Sequence, residues 1–161
     1  MHRTSKRKNG GKTRKNVTSM KKSSSPSGAR NLLQQFQKEI TIRFLEVIIM
    51  IKLYHWKTYS YATHKATDEL YTKINEHMDR FVEILLGKTN ERTDLMNVPS
   101  IKLNDLNSPI KLVEKIDNFK TYLVDLNQNK AMNLMGNMDL LTVRDEILGD
   151  LNQFLYLLTF K

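Results

Sequence analysis

The feature that most limits the fold is a recurrence of apolar residues every three or four positions, running from Leu32 to Leu158 without any convincing stretch of strict alternation. Residues spaced that way line one side of an α-helix, whereas a strand facing a core needs a period of two. The chain is therefore expected to be all-α, in four segments. The first, about residues 29–57, puts Leu32, Leu33, Phe36, Ile40, Phe44, Val47, Ile51 and Tyr54 on one face, and Thr58, Tyr59 and Ser60 break it. The second, about residues 61–86, carries Leu70, Ile74, Met78, Phe81 and Leu85 and ends at Gly87, a residue suited to a left-handed C-terminal cap. The third opens at Ser108-Pro109, with Ser108 as N-cap and Pro109 in the first helical position, and runs to about residue 126 through Leu112, Ile116, Phe119 and Leu123. The fourth, about residues 130–160, repeats Leu140, Val143, Ile147, Leu151, Phe154 and Leu158.

The connections decide how such helices are arranged. The short break after residue 57 packs the first two segments antiparallel. About 20 residues separate the second and third, long for a compact bundle of the simple up-down kind. That length spans a helix of about 25 residues, so it suits a bundle in which one long crossover joins two helices of like direction, the ferritin-like arrangement. Leu95, Val98, Ile101, Leu103 and Leu106 would hold the crossover against the body. The expected fold is a ferritin-like four-helix bundle over residues 29–161.

Residues 1–28 differ in kind. The first 30 residues hold ten basic side chains and no acid, while the remainder is close to neutral, so the net charge of +9 resides in the tail. This segment is rich in Ser, Thr, Asn and Gly and has too little apolar surface to offset the entropy of ordering, which reads as disorder. A basic arm on a neutral body commonly seeks phosphate, because each neutralised phosphate releases a counterion. Arg3, Lys6, Arg7, Lys8, Lys12, Arg14, Lys15, Lys21 and Lys22 are the candidate contacts to DNA or RNA; a solubility tail or a localisation signal is the plainer reading. No apolar run exceeds five residues, so neither a membrane span nor secretion is expected, and the compartment is read as intracellular. The absence of cysteine excludes thiol catalysis, disulfides and iron–sulfur clusters, leaving His and carboxylate as metal ligands.

Such ligands gather on one side of the second segment. His64, Asp68, Asp79 and Glu83 fall within about 100° of one another on a helical wheel, away from the apolar stripe. His64 and Asp79 are nevertheless about 22 Å apart along the axis, so one helix cannot bring both pairs to one ion. Two such helices paired antiparallel about a twofold axis could, giving two equivalent sites per dimer. His55, at the end of the first segment, can return towards His64 across the short turn. Mixed imidazole and carboxylate ligands suit Fe(II), Mn or Zn; ordinary solvated charge is the alternative.

The residues His55-Trp56, His64-Lys65-Ala66-Thr67-Asp68-Glu69-Leu70, Asn75, Asp79 and Glu83 resemble the motif of Dps, the mini-ferritins that protect DNA in starved cells. The run Leu141-Thr142-Val143-Arg144-Asp145-Glu146-Ile147-Leu148 and on to Leu158 is similar to the last helix of that family. The resemblance covers residues 30–160. It implies a ferroxidase centre shared by twofold-related subunits, with His55, His64 and Asp68 from one chain and Asp79 and Glu83 from its partner, Glu83 bridging two irons. It further implies a ferroxidase-type oxidoreductase that oxidises Fe(II) with peroxide or dioxygen and stores Fe(III) in a hollow, dodecameric shell. The interval from His55 to His64 is shorter than the family's, and no E-x-x-H pair of the larger ferritins occurs. The tail's composition resembles tails on proteins of large DNA viruses, which adds virion or viral factory to cytoplasm or nucleoid as compartments. A non-enzymatic nucleic-acid packaging or virion scaffold protein is the competing reading.

Three other features read plainly. Trp56, Tyr59 and Tyr61 are expected to pack at the turn between the first two segments rather than to take stray oxidising equivalents. His77 lies off the metal face and reads as a surface histidine. Met132, Met135 and Met138 read as gap-filling core rather than as a soft-metal stripe.

Overall fold

The computed structural model describes residues 26–160, and within them the protein is all-helical. The chain forms α1 (Pro26–Lys57), α2 (Tyr61–Thr89), α3 (Pro109–Asp125) and α4 (Met138–Leu157), with short 3-10 turns at Leu126–Gln128 and Met132–Leu134. The nine basic tail residues proposed to meet nucleic acid lie outside the described residues. None of the helices described is long and apolar enough to cross a membrane.

The apolar stripes expected from periodicity form the core almost residue for residue. Phe36, Ile40, Phe44, Val47 and Ile51 of α1 meet the five stripe residues of α2, Leu112 to Leu123 of α3 and Leu140 to Phe154 of α4, all buried. Phe44 sits at the centre, its ring edge-on to Phe81 at 5.3 Å and to Phe119 at 6.2 Å, the geometry that the aromatic quadrupole favours.

Helix ends depart from expectation in four places. The first helix starts at Pro26, three residues before the expected start. The second continues through Gly87 to Thr89, and Asn90, at φ 52°, takes the left-handed position instead. Ser108 does precede α3 in extended conformation, but its hydroxyl makes no capping bond. The fourth helix starts at Met138, not near residue 130. Upstream, the Asn129 side chain accepts the backbone N–H groups of Ala131 and Met132, a local turn that competes with helix. Met132 is therefore a core residue on a 3-10 turn while Met138 is exposed, and the three methionines share no helix face.

Side-chain contacts fix the helix directions. Lys73 and His77 meet Asp150, and Lys88 meets Asp139, so α2 and α4 run antiparallel. Arg43 lies over the Tyr122 ring near the end of α3, and Lys57 at the end of α1 pairs with Asp105 just before α3 begins, so α1 and α3 are antiparallel as well. The segment between α2 and α3 begins at Glu91, paired with Arg30 at the start of α1, and passes Asp105, paired with Lys57 at its end. Leu106 anchors the segment in the core; Leu103, expected to do the same, is exposed.

Candidate metal centre

Ser60 starts α2 abruptly by accepting the Thr63 backbone N–H, so only three residues separate the two helices. His55, in the last turn of α1, and His64, in the first turn of α2, are thereby forced face to face. Their rings stack with centroids 4.0 Å apart and planes 24° from parallel. The Nδ1 of His55 is 3.1 Å from the His64 carbonyl oxygen, and the Nδ1 of His64 is 3.2 Å from the His55 carbonyl oxygen. A carbonyl has no proton to give, so both nitrogens donate. In its neutral form each imidazole is accordingly the Nδ1–H tautomer, with its lone pair on Nε2, the form that a metal ligand requires.

Thr67 reinforces this arrangement. Its buried hydroxyl donates to the Thr63 carbonyl at 2.8 Å and lies 3.2 Å from His55 Nδ1, which it can receive. The ring of His55 is 7% exposed, so its orientation is held by packing as well as by these bonds. Its Nε2 lies 3.8 Å from Asp68 Oδ1, and that carboxylate is about half exposed.

The structure thus gathers His55, His64 and Asp68 at one end of α2. It does not gather Asp79 or Glu83 with them: both stand on the exposed side of α2, without a hydrogen bond or ion pair to any other described residue. Among the described residues, no three His, Asp or Glu side chains converge in a way that would hold a metal ion within one chain. The shortened interval between the two histidines does not keep them apart. It fits because α1 runs to Lys57 and α2 starts at Tyr61, which leaves the rings adjacent without a longer loop.

Residues 55–158 match the model of DUF5856, a family of unknown function. The chain belongs to this family. The span matched to DUF5856 starts at His55 and covers α2, α3 and α4, and so takes in all five candidate ligands. No curated protein and no solved structure matches the chain significantly.

Two expectations around the site are corrected. Trp56, Tyr59 and Tyr61 do not pack: Trp56 is 68% exposed and both tyrosines are open to solvent, since the tight turn points them outward from the bundle end. His77 is not a free surface residue. It sits half-buried in the α2–α4 seam, with Nε2 3.0 Å from Asp150 and Nδ1 3.5 Å from Glu146, while Arg80 pairs with Glu146 and Lys73 bridges Glu69 and Asp150. The Lys73 ammonium is held above its ordinary pKa, first by its hydrogen bond to Glu69. Sequence reasoning missed this network because it depends on the α2–α4 register, which no single-helix pattern records.

Proposed function

We propose that the protein is a Dps-like mini-ferritin that oxidises Fe(II) at sites shared between two chains. The observation that carries this reading is the stacked His55–His64 pair, in which each Nδ1 is engaged by the other's backbone carbonyl and the Nε2 of His55 faces the Asp68 carboxylate. Asp79 and Glu83 support it from the other side: two carboxylates with no partner among the described residues would be available to complete a site on a twofold-related copy. In that arrangement His55, His64 and Asp68 hold Fe(II) as substrate, and the partner's copies of the later acids neutralise the charge that grows as Fe(III) forms. Electrons pass to peroxide or dioxygen, and removing Fe(II) together with peroxide suppresses hydroxyl radical.

The path between α2 and α3 supports a ferritin-like bundle. Its two ends lie beside the two ends of α1, as a crossover joining helices of like direction requires. A shell of twelve chains and DNA held by residues 3–22 complete the reading, because many basic arms on one particle bind a polyanion far more tightly than one.

The concentration of basic charge in the first 30 residues favours a second reading, a non-enzymatic nucleic-acid packaging or virion scaffold protein. Aerobic Fe(II) oxidation by the full chain separates the two. A ferroxidase oxidises iron well above the buffer rate and loses that activity in the Asp79→Ala/Glu83→Ala variant; a rate equal to buffer, or one indifferent to the variant, sinks the ferroxidase reading.

A further inference from the structure

Away from the histidine pair, α1, α3 and the segment between α2 and α3 enclose a cleft of about 280 Å³. Its polar lining is dominated by donors. Arg43, Lys102 and Lys115 bring three cations, and the amides of Asn104 and Asn118 stand between them. Glu46 is the one carboxylate of the lining, and Arg43 engages it at 3.4 Å. The side chains of Lys102, Lys115, Asn104 and Asn118 make no hydrogen bond or ion pair with other described residues. Tyr122, under the Arg43 guanidinium, has a buried hydroxyl beside the Glu39 carboxylate. Burial first, and the nearby Glu39 carboxylate second, push that phenol up, so it stays protonated.

Lys115 and Asn104 are partly buried and Lys102 and Asn118 stand exposed at the mouth, so the cleft collects donors that meet no acceptor among the described residues and is suited to a ligand that supplies one. Cations and amides together match an oxyanion, whose oxygens accept short charge-assisted hydrogen bonds. The rest of the lining is apolar: Val47, Met50 and Phe119 form the floor. A carbon body is therefore accommodated next to the anionic group, and the volume, at the lower edge of small-molecule sites, admits a compact one.

We infer that this cleft binds a small phosphate monoester, no larger than a nucleoside monophosphate, with its phosphate between Lys102 and Lys115 and its carbon body on the Phe119 side. The inference is independent of the metal chemistry proposed above, because no candidate ligand lines the cleft.

The test is calorimetric titration of the full chain with inorganic phosphate, with adenosine monophosphate and with a short single-stranded oligonucleotide, each repeated on a Lys102→Gln/Lys115→Gln variant whose helical content is checked by circular dichroism. The expected result is saturable binding of the monophosphate at least tenfold tighter than phosphate, and a loss of tenfold or more in the double variant. Binding indifferent to the double variant, which would place it on the basic tail, overturns the inference. No saturable binding at millimolar ligand overturns it too. So does oligonucleotide binding that requires both lysines while the free monophosphate fails to compete, since the cleft would then be a nucleic-acid groove.

Discussion

His55 and His64 orient each other: each imidazole donates through Nδ1 to the other's backbone carbonyl, and the two rings stack 4.0 Å apart. Neither ring can rotate without breaking a bond that holds its neighbour. The pair therefore sets two properties at once, the end-to-end packing of α1 on α2 and the direction of two free nitrogen lone pairs.

Thr67 is the first place to test this. Replacing it by Val keeps the shape but removes the hydroxyl that His55 Nδ1 meets at 3.2 Å. Groups that orient a ligand in this way are worth about 10–100-fold in metal affinity. The Thr67→Val chain should stay helical, and Fe(II) or Co(II) titrated into it should bind about that much more weakly than to the unaltered chain.

The proposed division of the site between two chains predicts complementation. A His64→Ala chain and an Asp79→Ala/Glu83→Ala chain should each be inactive alone. Mixed in equal amounts and reassembled, half the dimers are mixed, and each of these regains one intact site of two, so about a quarter of the sites return. Iron oxidation by the mixture should recover to that level. Recovery of none would overturn the division of the site between two chains.

Arg144 supports the other side of the bundle. It is buried, its guanidinium donates to the Leu123 carbonyl at 3.0 Å and to Asn127 Oδ1 at 3.2 Å, and it thereby satisfies the end of α3 from α4. Arg144→Met would remove both guanidinium hydrogen bonds and leave the Leu123 carbonyl only the Leu126 N–H, at a cost of about 1–3 kcal/mol. Urea unfolding should show the lower midpoint, with Fe(II) oxidation per folded chain unchanged.

Lys88 and Asp139 give a pH signature. The Asp139 carboxyl is held below its ordinary value, first by the Lys88 hydrogen bond, with burial opposing and the Leu140 N–H adding to it. A group depressed in the folded state contributes stability above its unfolded pKa, about 3.9. That contribution disappears as pH falls through the folded value. Because the carboxylate is largely exposed, the effect is about 0.5 kcal/mol or less. The stability lost in Lys88→Ala should be measurable in urea at pH 6 and should be smaller near pH 2, where only the Lys88 hydrogen bond to the Gly136 carbonyl remains to be lost.

The site and the fold were legible to different depths. The five stripe residues of α2 were readable because burial on one helix is a matter of spacing, and 3.6 residues per turn is the same in any context. Asn90 was not, since glycine three residues earlier satisfied the same rule, and only the hydrogen bonds of Thr89 to Leu85 and to Gln37 carry the helix past it. The three aromatics at the turn were misjudged for a related reason. Hydrophobicity shows that Trp56, Tyr59 and Tyr61 can be buried, but whether a neighbour covers that end of the bundle depends on helices far away in sequence.

The amino-acid sequence by itself determined four helices, the apolar face of each, and a set of imidazoles and carboxylates on the side of α2 away from the core. These are local properties, set by backbone geometry and side-chain type within a few turns. Only the tertiary structure decided that His55 and His64 stack and lock each other's tautomer, that His77 belongs to the α2–α4 seam, and that unpartnered donors gather over Phe119. Those depend on the register and direction of one helix against another, and that is settled by how several apolar faces pack at once, which no single stretch of chain encodes.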